Sequence, residues 1–235
     1  MKGITALSSV LLVSLLQLCS AWGASWEYIY DGTKLPDDPA LGDKVWRVFN
    51  RGIKTSEVCE ITPEGELHIN DPPGKVCFFY REQKDLSHTT LEARVKVLSQ
   101  SGPPYTVCLE IEDGADTTYL CLFPDHITLV GGPTHMVDMT EYHILRMVRD
   151  GKSMIVYVDD EKVIEGLVGG DSSSRRAITF GAGSTPGEGE HYWDYVVYTT
   201  KGAFSPEELP NYQSSLPVES EGKLATCWGR IKSSI

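Results

Sequence analysis

Apolar and polar positions alternate most clearly in the stretch YTVCLEIEDGADTTYLCLF, residues 105–123. Val107, Leu109 and Ile111 fall on one side; Thr106, Cys108, Glu110 and Glu112 fall on the other. Period-two alternation marks a strand with one buried face. Asp113-Gly114-Ala115-Asp116 supplies turn residues, and a second β-rich run, 117–123, follows. A turn centred between Gly114 and Ala115 sets Glu112 opposite Thr117, Glu110 opposite Tyr119 and Cys108 opposite Cys121. The predicted hairpin carries two carboxylates, a tyrosine ring and a possible cross-strand disulfide on its polar face.

The same rhythm runs through the chain. Strands are predicted over 25–30, 45–49, 57–62, 66–70, 76–81 and 91–97 in the first half. In the second half they fall at 126–130, 142–149, 153–158, 162–165, 177–181 and 192–199. Turn signals such as Pro63-Glu64-Gly65, Asp71-Pro72-Pro73-Gly74 and Asp150-Gly151-Lys152 separate them. The Gly-rich segment 182–190 reads as a mobile loop. Many short strands with turns every eight to twelve residues predict an all-β antiparallel sandwich. Beyond Lys201 the texture changes. Ser205-Pro206-Glu207-Glu208 has the form of a helix start, with Ser205 as N-cap. The rest is a polar tail, helical or irregular, with one apolar knot around Trp228.

The start of the chain changes the picture of where it works. Met1-Lys2 precedes an apolar run over 4–18, and Ala21-Trp22-Gly23 puts small residues where a signal peptidase cuts. Residues 1–23 are read as a secretory signal peptide, 24–200 as the domain and 201–235 as the tail. The expected location is secreted or periplasmic. A net charge of −12 argues against nucleic acid, whose phosphates need a basic face. No later segment is apolar enough to span a bilayer. Export makes disulfides possible for Cys59, Cys77, Cys108, Cys121 and Cys227. The four in the domain allow three pairings, and the hairpin register favours Cys108–Cys121. A reading of all five as small buried residues competes with it. No CxxC or Cys/His cluster of zinc-site spacing occurs.

Three stretches carry a family resemblance. They are YHILRMVRDG at 142–151, IVYVDDEKV at 155–163, and ITFG at 178–181 followed by YWDYVVY at 192–198. In this order the chain resembles the concanavalin A-like lectin/glucanase superfamily, in particular the laminin-G-like domains of bacterial exported proteins. The resemblance covers 26–199 and implies a jelly roll of two curved antiparallel sheets. Asp160 stands where glycine is usual in the second turn. Because the superfamily mixes lectins, adhesion modules and glycosidases, fold alone implies no single activity.

The resemblance nonetheless directs attention to particular residues. β-Glucan-cleaving members carry E-x-D-x-E or E-x-D-x-x-E on a strand. Glu110 would match the nucleophile and Glu112 the middle aspartate, but the acid/base position falls on Gly114 or Ala115. That departure leaves the two-carboxylate mechanism without its proton donor. A related bacterial group acting on keto-disaccharides shares the strand order, with no catalytic set matched here. The binding reading uses Trp46, Arg81, Tyr105, Glu110, Glu112, Tyr119 and His126 as rings and hydrogen-bonding groups for a sugar. Taken singly, Trp46 reads as a core residue and His126 as an ordinary surface one. The sequence therefore predicts a secreted module whose partner is a glycan or an extracellular protein, with a glycoside-active enzyme as the alternative. Many superfamily members also hold a structural calcium ion, which would fall here on Asp194 and on the Asp31 region, with backbone carbonyls completing the set.

Overall fold

The computed structural model describes residues 24–51, 53–169, 175–183 and 186–216. In chain order its first strands are β1 (Tyr28–Tyr30), β2 (Arg47–Phe49), β3 (Cys59–Ile61), β4 (Leu67–Asp71) and β5 (Cys77–Glu82). Next come β6 (His88–Ser101), β7 (Cys108–Asp113), β8 (Thr117–Leu122), β9 (His126–Leu129) and β10 (Thr134–Met136). The last are β11 (His143–Asp150), β12 (Ser153–Val158), β13 (Glu161–Leu167), β14 (Arg176–Ala182) and β15 (Glu188–Thr199).

They form two antiparallel sheets. The first runs β13-β12-β11-β6-β15-β4-β3, with β1 joining β15 beyond the end of β4. The second runs β10-β9-β8-β7-β14-β5-β2. Two sheets that each hide one apolar face must face each other, and the core lies between them. Leu91, Ala93, Val95 and Val97 of β6 are all buried there, as are Leu109 and Ile111 of β7. Phe180 of β14 sits at the centre of the aromatic packing. Its ring is 4.9 Å from Trp46, 5.1 Å from Trp193 and 5.4 Å from Phe79.

Two departures from simple alternation matter. Between Trp193 and Tyr195 the β15–β6 register slips by one residue, leaving Asp194 as the extra residue of a bulge. A bulge reverses the parity beyond it. Strict alternation would put Asp194 on one face with Tyr192, Val196 and Tyr198. Instead Val196 and Tyr198 enter the core, while the Asp194 carboxylate meets Arg94. The second is a slip between Glu190 and His191, where Leu98 is the extra residue of β6; β15 itself starts at Glu188, inside the segment read as a mobile loop. The three-residue edge strand β10 lies where no strand was predicted.

The part of the tail that is described runs across the outer side of the first sheet. Ser205 and Glu208 make a single turn, with the Glu208 carboxylate accepting from Ser205 N at 2.9 Å, and the only α-helix among the described residues is Tyr212–Ser215. This segment closes over a buried ion pair. Arg146 donates to Glu92 Oε2 at 2.9 and 2.5 Å, and to the Leu209 carbonyl at 2.7 Å. Glu92 Oε1 accepts from Tyr195 Oη and from the Tyr212 amide. The signal-peptide reading and the Trp228 knot lie outside the described residues.

Candidate functional site

The site is built on the outer face of the second sheet, where β8, β7, β14 and β5 lie side by side. The predicted register holds: Cys108 is opposite Cys121, Glu110 opposite Tyr119 and Glu112 opposite Thr117. Leu122 N bonds Val107 O and Asp113 N bonds Asp116 O, so the intervening Glu and Cys pairs are of the close, non-hydrogen-bonded kind. One row across this face reads Tyr119, Glu110, Thr179, Tyr80 and Arg47. The next reads Cys121, Cys108, Gly181, Phe78 and Phe49.

Apart from the exposed Arg47–Glu82 pair, charge on this face gathers at one point. Arg175, just before β14, donates Nε to Glu112 Oε2 at 2.5 Å and holds a second nitrogen 4.0 Å from Glu110 Oε2. The same guanidinium lies 5.1 Å from the ring centres of both Phe78 and Tyr80. A cation stacked on ring faces is attracted by their quadrupoles. The glutamates themselves are not open to solvent: Glu110 is 4% exposed and Glu112 1%. Burial, followed by the nearby Glu112 charge, pushes the Glu110 carboxyl up to about 8. Two carboxylates on one strand face are thus divided, one ion-paired and the other holding its proton at neutral pH. Cys108 Sγ donates to Glu110 Oε1 at 3.4 Å. Gly183 closes this end of the site, since a Cβ there would stand 2.7 Å from Tyr105 O and 3.3 Å from Cys108 Sγ.

Comparison with known proteins bears on the fold. No family model matches the chain, and no curated protein matches it. Solved structures do. A glycosyl hydrolase family protein from Mycobacterium fortuitum is similar with a TM-score of 0.52 at 15% identity, over 75% of this chain and 100% of that one. A protein described among endo-acting O-glycanases that human gut bacteria express to initiate mucin breakdown gives 0.52 at 14%, over 75% and 99%. A β-1,3-glucanase from Mycobacterium marinum gives 0.51 at 13%, again over 75% and 99%. Identities this low establish a shared sandwich fold and no more.

The residues named from the sequence separate into those that meet at this face and those that do not. Glu110, Glu112 and Tyr119 share it, and Tyr105 brings its ring to within 6.0 Å of the Tyr119 ring. Tyr105 is 39% exposed and Tyr119 half-buried, so the Tyr105 ring presents an open surface beside the buried carboxyls. Trp46 is 1% exposed and packs edge-on to Phe180, which removes it from any ligand surface. Arg81 follows Tyr80 on β5 and so has the opposite parity. Its guanidinium lies 4.8 Å from the Tyr28 ring and donates to the Asp43 carbonyl. His126 sits at the β8–β9 turn, stacked on Phe123 at 4.2 Å and bonded to Asp125. It shares the outward parity of Thr128, the partner of Cys121, and so lies on this face one row beyond Cys121, on the side away from Glu112.

Arg175, Phe78 and Tyr80 went unrecognised in the sequence. The available signal was the pair Arg175-Arg176 placed before a strand that neighbours the two glutamates, but only strand order shows that neighbour.

The calcium expectation meets different chemistry. Asp194 Oδ2 accepts from Arg94 at 2.9 Å and from Gln213 at 3.1 Å, and Asp31 Oδ1 accepts from Thr33. Backbone does converge there, for a Cβ on Gly32 would stand 2.6 Å from both the Asp194 and the Gly65 carbonyl oxygens. Arg94 and Gln213 both bond to one oxygen of the Asp194 carboxylate, Oδ2. Among the described residues no group of three or more His, Cys, Asp or Glu side chains is arranged to hold a metal.

Proposed function

We propose that this chain is an exported carbohydrate-binding module of the concanavalin A-like superfamily. Its ligand face is the outer side of the second sheet, from Tyr105 and Tyr119 to Tyr80 and Phe78. The observation that supports this reading most is the Arg175 guanidinium, stacked on Phe78 and Tyr80 and fixed by Glu112. Sugars present apolar C–H faces to rings and hydroxyls to charged groups, and the two kinds of partner stand side by side here. The buried carboxyls act beneath this surface: Glu112 positions Arg175, and Glu110 fills the floor. The sandwich fold shared with glycosidase-related proteins is consistent with a glycan partner, and the apolar leader over 4–18 with export.

A glycoside-active enzyme is the second reading, and one observation favours it. A carboxyl held protonated near neutral pH, as Glu110 is, has the property of a general acid. Against it, the partner carboxylate Glu112 is neutralised by Arg175, and both glutamates are shielded from a substrate.

Glycan-array binding followed by calorimetry tests the choice. Tyr119→Ala and Tyr80→Ala should each weaken binding about tenfold, the loss of roughly 1–2 kcal/mol of ring contact. Release of reducing sugar that Glu110→Gln abolishes would establish the enzyme instead. Binding that neither tyrosine variant changes would remove this face as the site.

A further inference from the structure

Away from the candidate site, two cysteines meet between the sheets. Cys59 opens β3, the short edge strand of the first sheet, and Cys77 opens β5 of the second. Cys59 pairs with Ile69 and Cys77 lies two residues before Phe79, so each shares the inward parity of a core residue. Their sulfurs are 3.4 Å apart, and both residues are buried. Cys108 and Cys121, the pair favoured by hairpin register, face each other as predicted, yet Cys108 Sγ is turned to Glu110; all four thiols, Cys59 and Cys77 included, are free in this structure.

We infer that Cys59 and Cys77 are a disulfide-forming pair that joins the two sheets in the oxidised, exported protein. Small rotations about the two Cα–Cβ bonds bring sulfurs already in contact to bonding distance. The bond closes a segment spanning a sequence separation of 18 residues. Its oxidant is a small-molecule or protein disulfide, for which glutathione disulfide serves as the probe. One cysteine thiolate attacks that disulfide, forming a mixed disulfide and releasing one glutathione. The second cysteine thiolate then displaces the other glutathione. Two electrons pass from the protein to glutathione disulfide, and two protons leave the protein thiols and end on the two glutathione thiols formed. In the closed sandwich, the hydrogen-bonding contact with Cys77, then burial of the sulfurs, and last the nearby Asp37 and Asp71 carboxylates hold the Cys59 thiol above its ordinary range. Exchange therefore belongs to the folding chain, before the sheets close over the pair.

This placement gives the bond a structural purpose. β3 is three residues long and, among the described residues, pairs in the sheet only with β4. An edge so short gains from a covalent tie to the opposite layer.

The full chain, refolded with reduced and oxidised glutathione, is denatured in iodoacetamide and digested without reductant. The expected product is a cross-linked peptide containing Cys59 and Cys77, with Cys108 and Cys121 carrying the alkyl label. Reductant should lower the melting temperature of the wild type by about 5–12 °C, and should not shift the Cys59→Ser/Cys77→Ser double variant. If that variant fails to fold, the peptide map alone decides. Label on both Cys59 and Cys77, or either of them joined to Cys108, Cys121 or Cys227, overturns the inference.

Discussion

Glu112 accepts a 2.5 Å hydrogen bond from Arg175, and this one contact divides the roles of two glutamates on the same strand face. Glu110, two residues earlier, keeps only a 4.0 Å approach to the same guanidinium and is pushed up to about 8 from the ordinary value of 4.5. Between those values the unfolded chain has lost the proton that the folded chain retains. Stability therefore falls as pH rises from about 4.5 to about 8, and levels off above. Asp71, raised to about 7 by burial, adds a slope of the same sign. Glu110→Gln should flatten part of this fall and make the protein more stable at pH 8 by about 2–4 kcal/mol. Urea unfolding at pH 5 and pH 8 measures it, and a variant with the wild-type slope would contradict the buried, protonated Glu110.

His191 sets the acid side. It is fully enclosed, with Nδ1 accepting from the Trp193 indole at 2.6 Å, and burial lowers it from 6.5 to about 3. A depressed histidine is neutral when folded and charged when unfolded, so stability is lost as pH drops below about 6.5 towards 3. His191→Gln should lose stability at pH 7, where the packing is disturbed, yet show a shallower decline between pH 6 and pH 4 in thermal melts. An unchanged acid slope would mean that another group dominates.

Arg146 and Glu92 are both buried and fully bonded beneath the C-terminal segment. Removing one partner leaves a buried charge alone, which costs about 3–5 kcal/mol. Arg146→Ala is expected to show a loss of that size in denaturant unfolding and to loosen residues 204–212, read by faster amide exchange there. Exchange at wild-type rates in that segment would show that the ion pair does not hold it.

Asp159 and Asp160 both have positive φ, 50° and 68°, in the turn between β12 and β13. Asp159 has compensation: its carboxylate accepts from the Ile144 amide and meets His143. Among the described residues the Asp160 side chain makes only an exposed bond, to Asn211. Asp160→Gly should therefore stabilise by about 0.5–1 kcal/mol, seen as a rise of a few degrees in melting temperature. Asp159→Gly should destabilise, because it removes both bonds. Equal effects from the two variants would refute the distinction.

Calcium provides a fifth measurement on the fold. With Arg94 on the Asp194 carboxylate, melting temperatures in chelator and in millimolar calcium should coincide. A calcium-dependent rise that Asp194→Ala abolishes would instead establish the ion that the superfamily resemblance implies.

Strand identity and register were legible because both are local. Val107, Leu109 and Ile111 alternate with Cys108, Glu110 and Glu112, and the Asp113–Asp116 turn fixes which residue faces which, so the β7–β8 ladder follows from the sequence. Two-layer architecture follows as well, since each strand has one face to hide. What lies across a sheet from non-consecutive strands is another matter. β14 comes between β7 and β5, and only that order brings Arg175 to Glu112 and to the rings of Phe78 and Tyr80. The β15 bulge at Asp194 is likewise invisible to a parity count, because one extra residue in a strand changes no residue type. The meeting of Cys59 with Cys77 needs both sheets in place. Local patterning determined the faces of each strand, and packing between distant segments decided which side chains share a site.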